Sequence, residues 1–255
     1  LTSRDSSKLM KKEGTTAWKA IEALNNKTAM INAASETAMV DDGVGAIMKK
    51  LKARGLDKNT IVIYTSDQGA SYGHNGLFGN TSWSFPFTAH NINMQIPLVV
   101  RHPGKISGGM QSNKIINQYD LFPTLLEYAG MGDKLIANSP GKSFVPLLRG
   151  KKVDSWDDAA FFEFVTVRVI RTSVWKYMKR LDDEEEPDTL YNLLNDPGEK
   201  NNLIDDSQHA QVVKGLDRRL TIFFDKYSDP KYDVWKGGTA KGILLEKYYG
   251  RDDIF

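Results

Sequence analysis

Asp67 and Gln68 stand side by side where the apolar run Ile61-Val62-Ile63-Tyr64 gives way, through Thr65-Ser66, to a glycine-rich stretch opening at Gly69. A carboxylate and an amide oxygen are hard donors, suited to Ca²⁺ or Mg²⁺ rather than to zinc. In open α/β sheets, ligands gather outside the carboxyl ends of strands, which is where this dipeptide falls. Two donors do not complete a calcium shell of six or more oxygens. The others must come from elsewhere, and an Asp capping a turn beside a surface amide would read the same way. The four histidines are His74, His90, His102 and His209. His74 and His90 lie in the loop after Asp67, where an imidazole can donate to an anionic oxygen, act as an acid, or make an ordinary loop hydrogen bond. His102, before Pro103, reads as structural, and His209 as the exposed opening of a helix.

Several chemistries are unsupported. The chain has no cysteine, so disulfides, thiolate metal sites and a cysteine nucleophile are excluded within it. No Gly-x-Ser-x-Gly elbow and no Walker-type phosphate loop occurs. Lys and Arg number 34 against 32 Asp and Glu, for a net charge of +2. Nucleic-acid binders carry a larger basic excess or a basic stripe. No apolar run approaches the roughly 18 residues of a membrane span. At Leu1 the charged stretch Arg4–Glu13 has no following apolar core, so no signal peptide is visible. Asn26-Lys27-Thr28 and Asn80-Thr81-Ser82 fit the glycosylation sequon, a pattern short enough to arise by chance.

The elements that must position Asp67 are legible around it. Thr37, Val40, Val44, Ile47, Met48 and Leu51 recur at helical spacing over 34–54, with Gly55 as the residue that ends the helix. The Ile61–Tyr64 run suits a central parallel strand covered on both faces. Residues 69–95 are rich in Gly, Asn and Ser, with aromatics at Tyr72, Phe78, Trp83, Phe85 and Phe87, and predict a functional loop rather than a long element. The rings could stack on a sugar face or pack beneath the loop. Ile96–Arg101 predicts a second buried strand, Asp120–Tyr128 a helix with Pro123 in its first turn, and Gly141–Gly150 a loop with a helical turn. Ala159–Val165, Arg168–Thr172, Val174–Leu181 and Thr189–Leu193 read as antiparallel strands. The acidic run Asp182–Glu186 then falls at a solvated hairpin tip. Ala210–Tyr227 reads as an amphipathic helix presenting Val213, Leu216, Leu220, Phe223 and Phe224. Residues from Ser228 onward predict a surface wrap.

Six segments, in order, resemble the sulfatase family of the alkaline phosphatase-like superfamily. Asn59–Gly69 (NTIVIYTSDQG) is similar to the family strand that ends in Ser-Asp, then Asn, His or Gln, then Gly. Met39–Leu51 resembles the helix before that strand, and Gln95–Lys105 (QIPLVVRHPGK) the segment after it. Asn117–Gly130 (NQYDLFPTLLEYAG) resembles the Asp-Leu-x-Pro-Thr helix, and Gly141–Gly150 (GKSFVPLLRG) the Pro-Leu-Leu-x-Gly stretch. Val169–Lys179 and Leu190–Leu203 (LYNLLNDPGEKNNL) resemble the family's C-terminal region.

The resemblance implies hydrolysis of sulfate esters by a formylglycine made from Cys or Ser, with a divalent cation, usually Ca²⁺, holding nucleophile and sulfate. It assigns Asp67 and Gln68 to the metal. The formylglycine motif and the family's paired N-terminal aspartates have no counterpart in this sequence, since Asp41-Asp42 lies in the helix before Asp67. Family members are about twice this length, so the chain resembles a C-terminal half whose missing segment or partner chain supplies the nucleophile. The family lysine that reaches the sulfate is also absent, because 69–95 contain no Lys or Arg. Asn80 sits near its place, and His74 and His90 are the remaining candidates to face a sulfated small molecule or glycan. The expected fold is α/β: part of an alkaline phosphatase-like mixed sheet flanked by helices, plus a small C-terminal antiparallel sheet with a packed helix. The expected divisions are a leading segment 1–32, an α/β part 33–155 and a C-terminal subdomain 156–255. A phosphoester or phosphonate hydrolase and a non-catalytic binding module are the other readings. The resemblance implies a periplasmic, lysosomal or secreted setting.

Overall fold

The computed structural model describes residues 22–23, 26–80, 87–132, 138–164, 166–181 and 186–238. The described residues fall into two compact units. One holds 22–80 and 90–110, the other 87–89 and 111–238.

The first unit opens with helix α1, Lys27–Ala53. It starts seven residues earlier than the apolar spacing suggests, because Asn26 caps it: the Asn26 side-chain oxygen accepts from Thr28 N at 2.9 Å and Ala29 N at 3.2 Å. Gly55, at φ 67°, closes the helix as expected, donating to Lys52 O. The periodic apolar face is present but not buried: Val40 is 51% and Ile47 58% exposed, and the helix has no buried residue. Strand β1, Val62–Thr65, pairs with β4, Leu98–Arg101, and the pairing is antiparallel. The expected parallel, doubly covered strand is therefore corrected. Apolar composition reports what a strand can bury, not which neighbour lies beside it, and Val99 is 58% exposed here. Among the described residues between these strands lie a short hairpin, β2 (Ser71–Tyr72) with β3 (Phe78–Gly79), a 3₁₀ turn at its tip (His74–Gly76) and one helical turn, α2 (Asn91–Met94). The loop reading of 69–95 holds for its described part; Trp83 and Phe85 lie outside the described residues.

The second unit is built on the sheet β5 (Ala159–Phe164), β6 (Val167–Thr172), β7 (Trp175–Arg180) and β8 (Thr189–Asn192), antiparallel in that order. Before it come α3 (Leu121–Tyr128), entered through a 3₁₀ turn at Gln118–Asp120, and α4 (Val145–Leu148). Period-two alternation sends Ile170, Tyr177 and Leu190 to one face of the sheet. Helix α5, Ala210–Tyr227, lays Leu216, Leu220 and Phe224 onto that face at a spacing of four. Each such side chain contributes roughly 1.5–3 kcal/mol of burial. The opposite face buries Val167, Val169 and Met178. Phe87 is also buried, edge-on to Phe164 with centroids 5.1 Å apart, so this loop aromatic packs rather than projects. Two charged pairs are sealed into this unit. Lys176 Nζ meets Glu199 Oε1 at 2.6 Å, and Arg168 meets Asp233 at 2.7 Å while lying 4.0 Å from the Phe224 ring centroid. Residues 182–185 of the acidic run and the tail from 239 lie outside the described residues.

Candidate functional site

Strand β1 ends at Thr65, and the chain turns at once. Ser66 Oγ donates to Gln68 O at 2.8 Å, and Gln68 N donates to Asp67 Oδ1 at 2.9 Å. This local turn is the structural role allowed for Asp67 from sequence, and it leaves both Asp67 and Gln68 exposed. Gly69 is then locked against α2: its N–H donates to Asn93 O at 2.9 Å, and a Cβ on it would lie 2.1 Å from Ile92 O. Only glycine fits that approach.

Asn93 ties the next segment to the same point. It is 1% exposed, and its Oδ1 accepts from the buried Ser71 Oγ at 3.1 Å. Ser71 begins the β2–β3 hairpin, so the metal-type dipeptide, the hairpin and α2 are joined through one asparagine. Sequence reasoning passed over Ser71 and Asn93. Neither belongs to a motif, and a buried polar pair 22 residues apart leaves no local signal. His74 opens the exposed hairpin tip after Gly73, which turns with φ 95° and donates to Leu77 O at 2.8 Å. Asn80 directly follows β3 and is half-buried. His90 precedes α2, its carbonyl accepting from Asn93 N at 2.8 Å. The half-buried His90 stands at the start of α2, whose Asn93 carbonyl accepts the Gly69 N–H, whereas His74 stands at the tip of the hairpin. His102 is buried, as its structural reading required.

The donor set fits a hard cation in kind and falls short in number. Asp67 and Gln68 supply oxygens, but among the described residues no group of three or more His, Cys, Asp or Glu could hold a metal. A shell of six or more oxygens needs further donors.

A family model described as "Sulfatase" matches residues 12–131. A second, "N-sulphoglucosamine sulphohydrolase, C-terminal", matches 86–226, more than half of the chain. The chain is 28% identical over 214 residues to an N-acetylglucosamine-6-O-sulfatase of Bacteroides thetaiotaomicron, covering 80% of this chain and 37% of that protein. It is 26% identical over 225 residues to arylsulfatase K of Xenopus laevis, covering 80% of this chain and 40% of that one. The chain thus spans about two fifths of the length of these curated relatives. A solved structure in complex with its substrate D-glucosamine-2-N,6-O-disulfate aligns at a TM-score of 0.66 and 28% identity, over 76% of this chain and 40% of that one. The phosphonate monoester hydrolase of Agrobacterium radiobacter aligns at a TM-score of 0.63 and 28% identity, over 74% and 40%. Two overlapping family models, relatives along four fifths of its length and the shared alkaline phosphatase-like fold place this chain in the sulfatase family.

Proposed function

We propose that this chain is the C-terminal part of a sulfuric ester hydrolase acting on sulfated glycans, in which Asp67 and Gln68 hold a calcium ion, with magnesium the less suitable alternative. The supporting observation is the Ser66-Asp67-Gln68-Gly69 turn, which presents two exposed oxygen donors at the end of β1 while Gly69 is pinned to Asn93. The ion, when bound, supplies positive charge that neutralises sulfate oxygens. His74, Asn80 and His90 face the substrate in this reading. With no Lys or Arg between 69 and 95, imidazole N–H and amide groups take the sulfate contacts there.

The formylglycine nucleophile and the remaining metal ligands come from polypeptide outside these 255 residues. That polypeptide seats on the exposed apolar residues Met39, Val40 and Ile47 of α1. The relatives' greater length supplies an occupant of the right kind. The setting is periplasmic, lysosomal or secreted, by analogy with the relatives. No helix among the described residues is long and apolar enough to cross a membrane.

The likeness to a phosphonate monoester hydrolase favours one further reading, hydrolysis of a phosphoester or phosphonate ester by the same metal strategy. Side-by-side kinetics of the longer protein on an aryl sulfate and an aryl phosphonate separate the two. The expected outcome is sulfate release that Asp67→Ala abolishes. A clear preference for the phosphonate selects the second reading. Calcium binding with no hydrolysis of either ester would mean a non-catalytic module.

A further inference from the structure

The second unit carries a cleft of about 290 Å³ between α5, the outer strand β5 and the 3₁₀ turn that leads into α3. It has no part in the proposed metal site. Its floor is aromatic: Phe161 and Phe223 stack at 4.0 Å, and the Tyr227 ring lies 5.0 Å from Phe223. Its mouth is cationic. Lys142, Arg219 and Lys226 line it, with Asp157 the exposed carboxylate between two of them, 3.9 Å from Lys142 Nζ and 3.3 Å from Arg219 Nη2. Ile222, one turn along α5 from Arg219, also lines the cleft and is 56% exposed.

The walls are set before any ligand arrives. Asp120 is buried, and its carboxylate accepts from Lys142 N at 2.8 Å and from Asn117 N at 2.8 Å, tying together two segments of the wall. Asn117 Nδ2 reaches Ala159 O on β5 at 3.3 Å, and Trp156 Nε1 donates to Ile115 O at 2.8 Å. A ligand entering such a cleft loses little to ordering the protein.

We propose that this cleft is a binding subsite for a single anionic sugar residue, one carrying a sulfate or a carboxylate. The volume lies at the low end of ligand pockets, about 300–1,000 Å³, and suits one ring rather than a chain. Aromatic side chains offer apolar faces to the C–H face of a pyranose. Arg219 presents a planar fork matched to two oxygens of a sulfate or carboxylate, and Asp157 holds that fork at the mouth. Lys226, two turns along α5 from Arg219, adds a second charge. The choice of a sugar over another anion rests on the glycan reading above; the location and the cation set do not.

The test uses the 255-residue chain and a heparin tetrasaccharide, with binding followed by calorimetry and by the Trp156 indole resonance. Arg219→Ala with Lys226→Ala changes two exposed side chains, so folding is retained; circular dichroism checks it. The expected result is a loss of affinity of about tenfold or more in the double variant, with the indole shift abolished. Lys105→Ala, at an exposed lysine of the first unit, leaves this binding unchanged. Equal affinity in the double variant, or an equal loss in Lys105→Ala, overturns the subsite. Equally tight binding of a neutral tetrasaccharide overturns its anionic character, and equally tight binding of sodium sulfate or of polyglutamate overturns the sugar. Failure of the longer protein to release sulfate, with the tetrasaccharide still bound through Arg219 and Lys226, removes the sulfatase reading and leaves the subsite standing.

Discussion

Lys176 and Glu199 show how one residue pair governs stability in the second unit. Both side chains are sealed from water, and the ion pair is 2.6 Å long. Burial still dominates, pulling the Lys176 ammonium from its ordinary 10.5 down to about 8 despite the carboxylate beside it. Glu199→Gln removes the countercharge and leaves the ammonium buried, at an expected cost of about 3 kcal/mol read from urea unfolding. The pH dependence follows from the same shift. Between about 8 and 10.5 the unfolded chain holds the Lys176 proton and the folded chain has released it, so stability rises with pH across that window. Tyr177 opposes it higher up: burial and Asp188 raise its phenol above the ordinary 10.0, so the folded chain keeps that proton longer and stability falls once pH passes 10. Urea midpoints are therefore expected to peak at about pH 10. The rise above pH 8 should vanish in the variant carrying both Lys176→Met and Glu199→Leu. Lys176 and Glu199 were visible in sequence only as members of a C-terminal motif. Their pairing crosses 23 positions and needs the β7–β8 hairpin to exist first.

At the scale of elements, local chemistry was readable and neighbourhood was not. The boundaries of α5 and the ladder β5 to β8 follow from apolar period, because each element satisfies its own period whatever surrounds it. The start of α1 was missed because Asn26, read as part of a sequon, is the cap. Asn26→Ala is expected to cost about 1 kcal/mol and to speed hydrogen exchange at the Thr28 and Ala29 amides. The loop after β1 depends on a contact between elements. Gly69→Ala places a methyl against Ile92 O, so the turn must move away from α2. The expected result is a loss of about 2 kcal/mol, with weaker calcium binding in the longer protein, whereas Ala70→Gly leaves both within about 0.5 kcal/mol. Calorimetric titration of the two variants checks this.

For the molecule as a whole, the exposed face of α1 makes a distinct prediction. Val40→Glu with Ile47→Glu changes side chains that are 51% and 58% exposed, so unfolding of the 255-residue chain is expected to shift by about 0.5 kcal/mol or less. With the proposed N-terminal polypeptide supplied, the same pair is expected to cost several times more, because under that proposal charges enter a covered apolar seam. Chemical denaturation of both proteins with and without the two changes decides the matter.

Local sequence carried the family and most of the elements, and it proposed Asp67 and Gln68 as an oxygen-donor pair. These rest on residues that are close along the chain: an apolar run emptying into Ser-Asp-Gln-Gly, a Pro in a first helical turn, an apolar stripe on α5. Tertiary structure alone decided that β1 pairs antiparallel with β4, that Asn93 binds the Asp67 loop to the hairpin, and that aromatic rings and cations from three separate segments share one cleft. Periodicity specifies which face of an element is apolar. The partner of that face is chosen by packing between segments far apart in the chain, for which a single sequence carries no term.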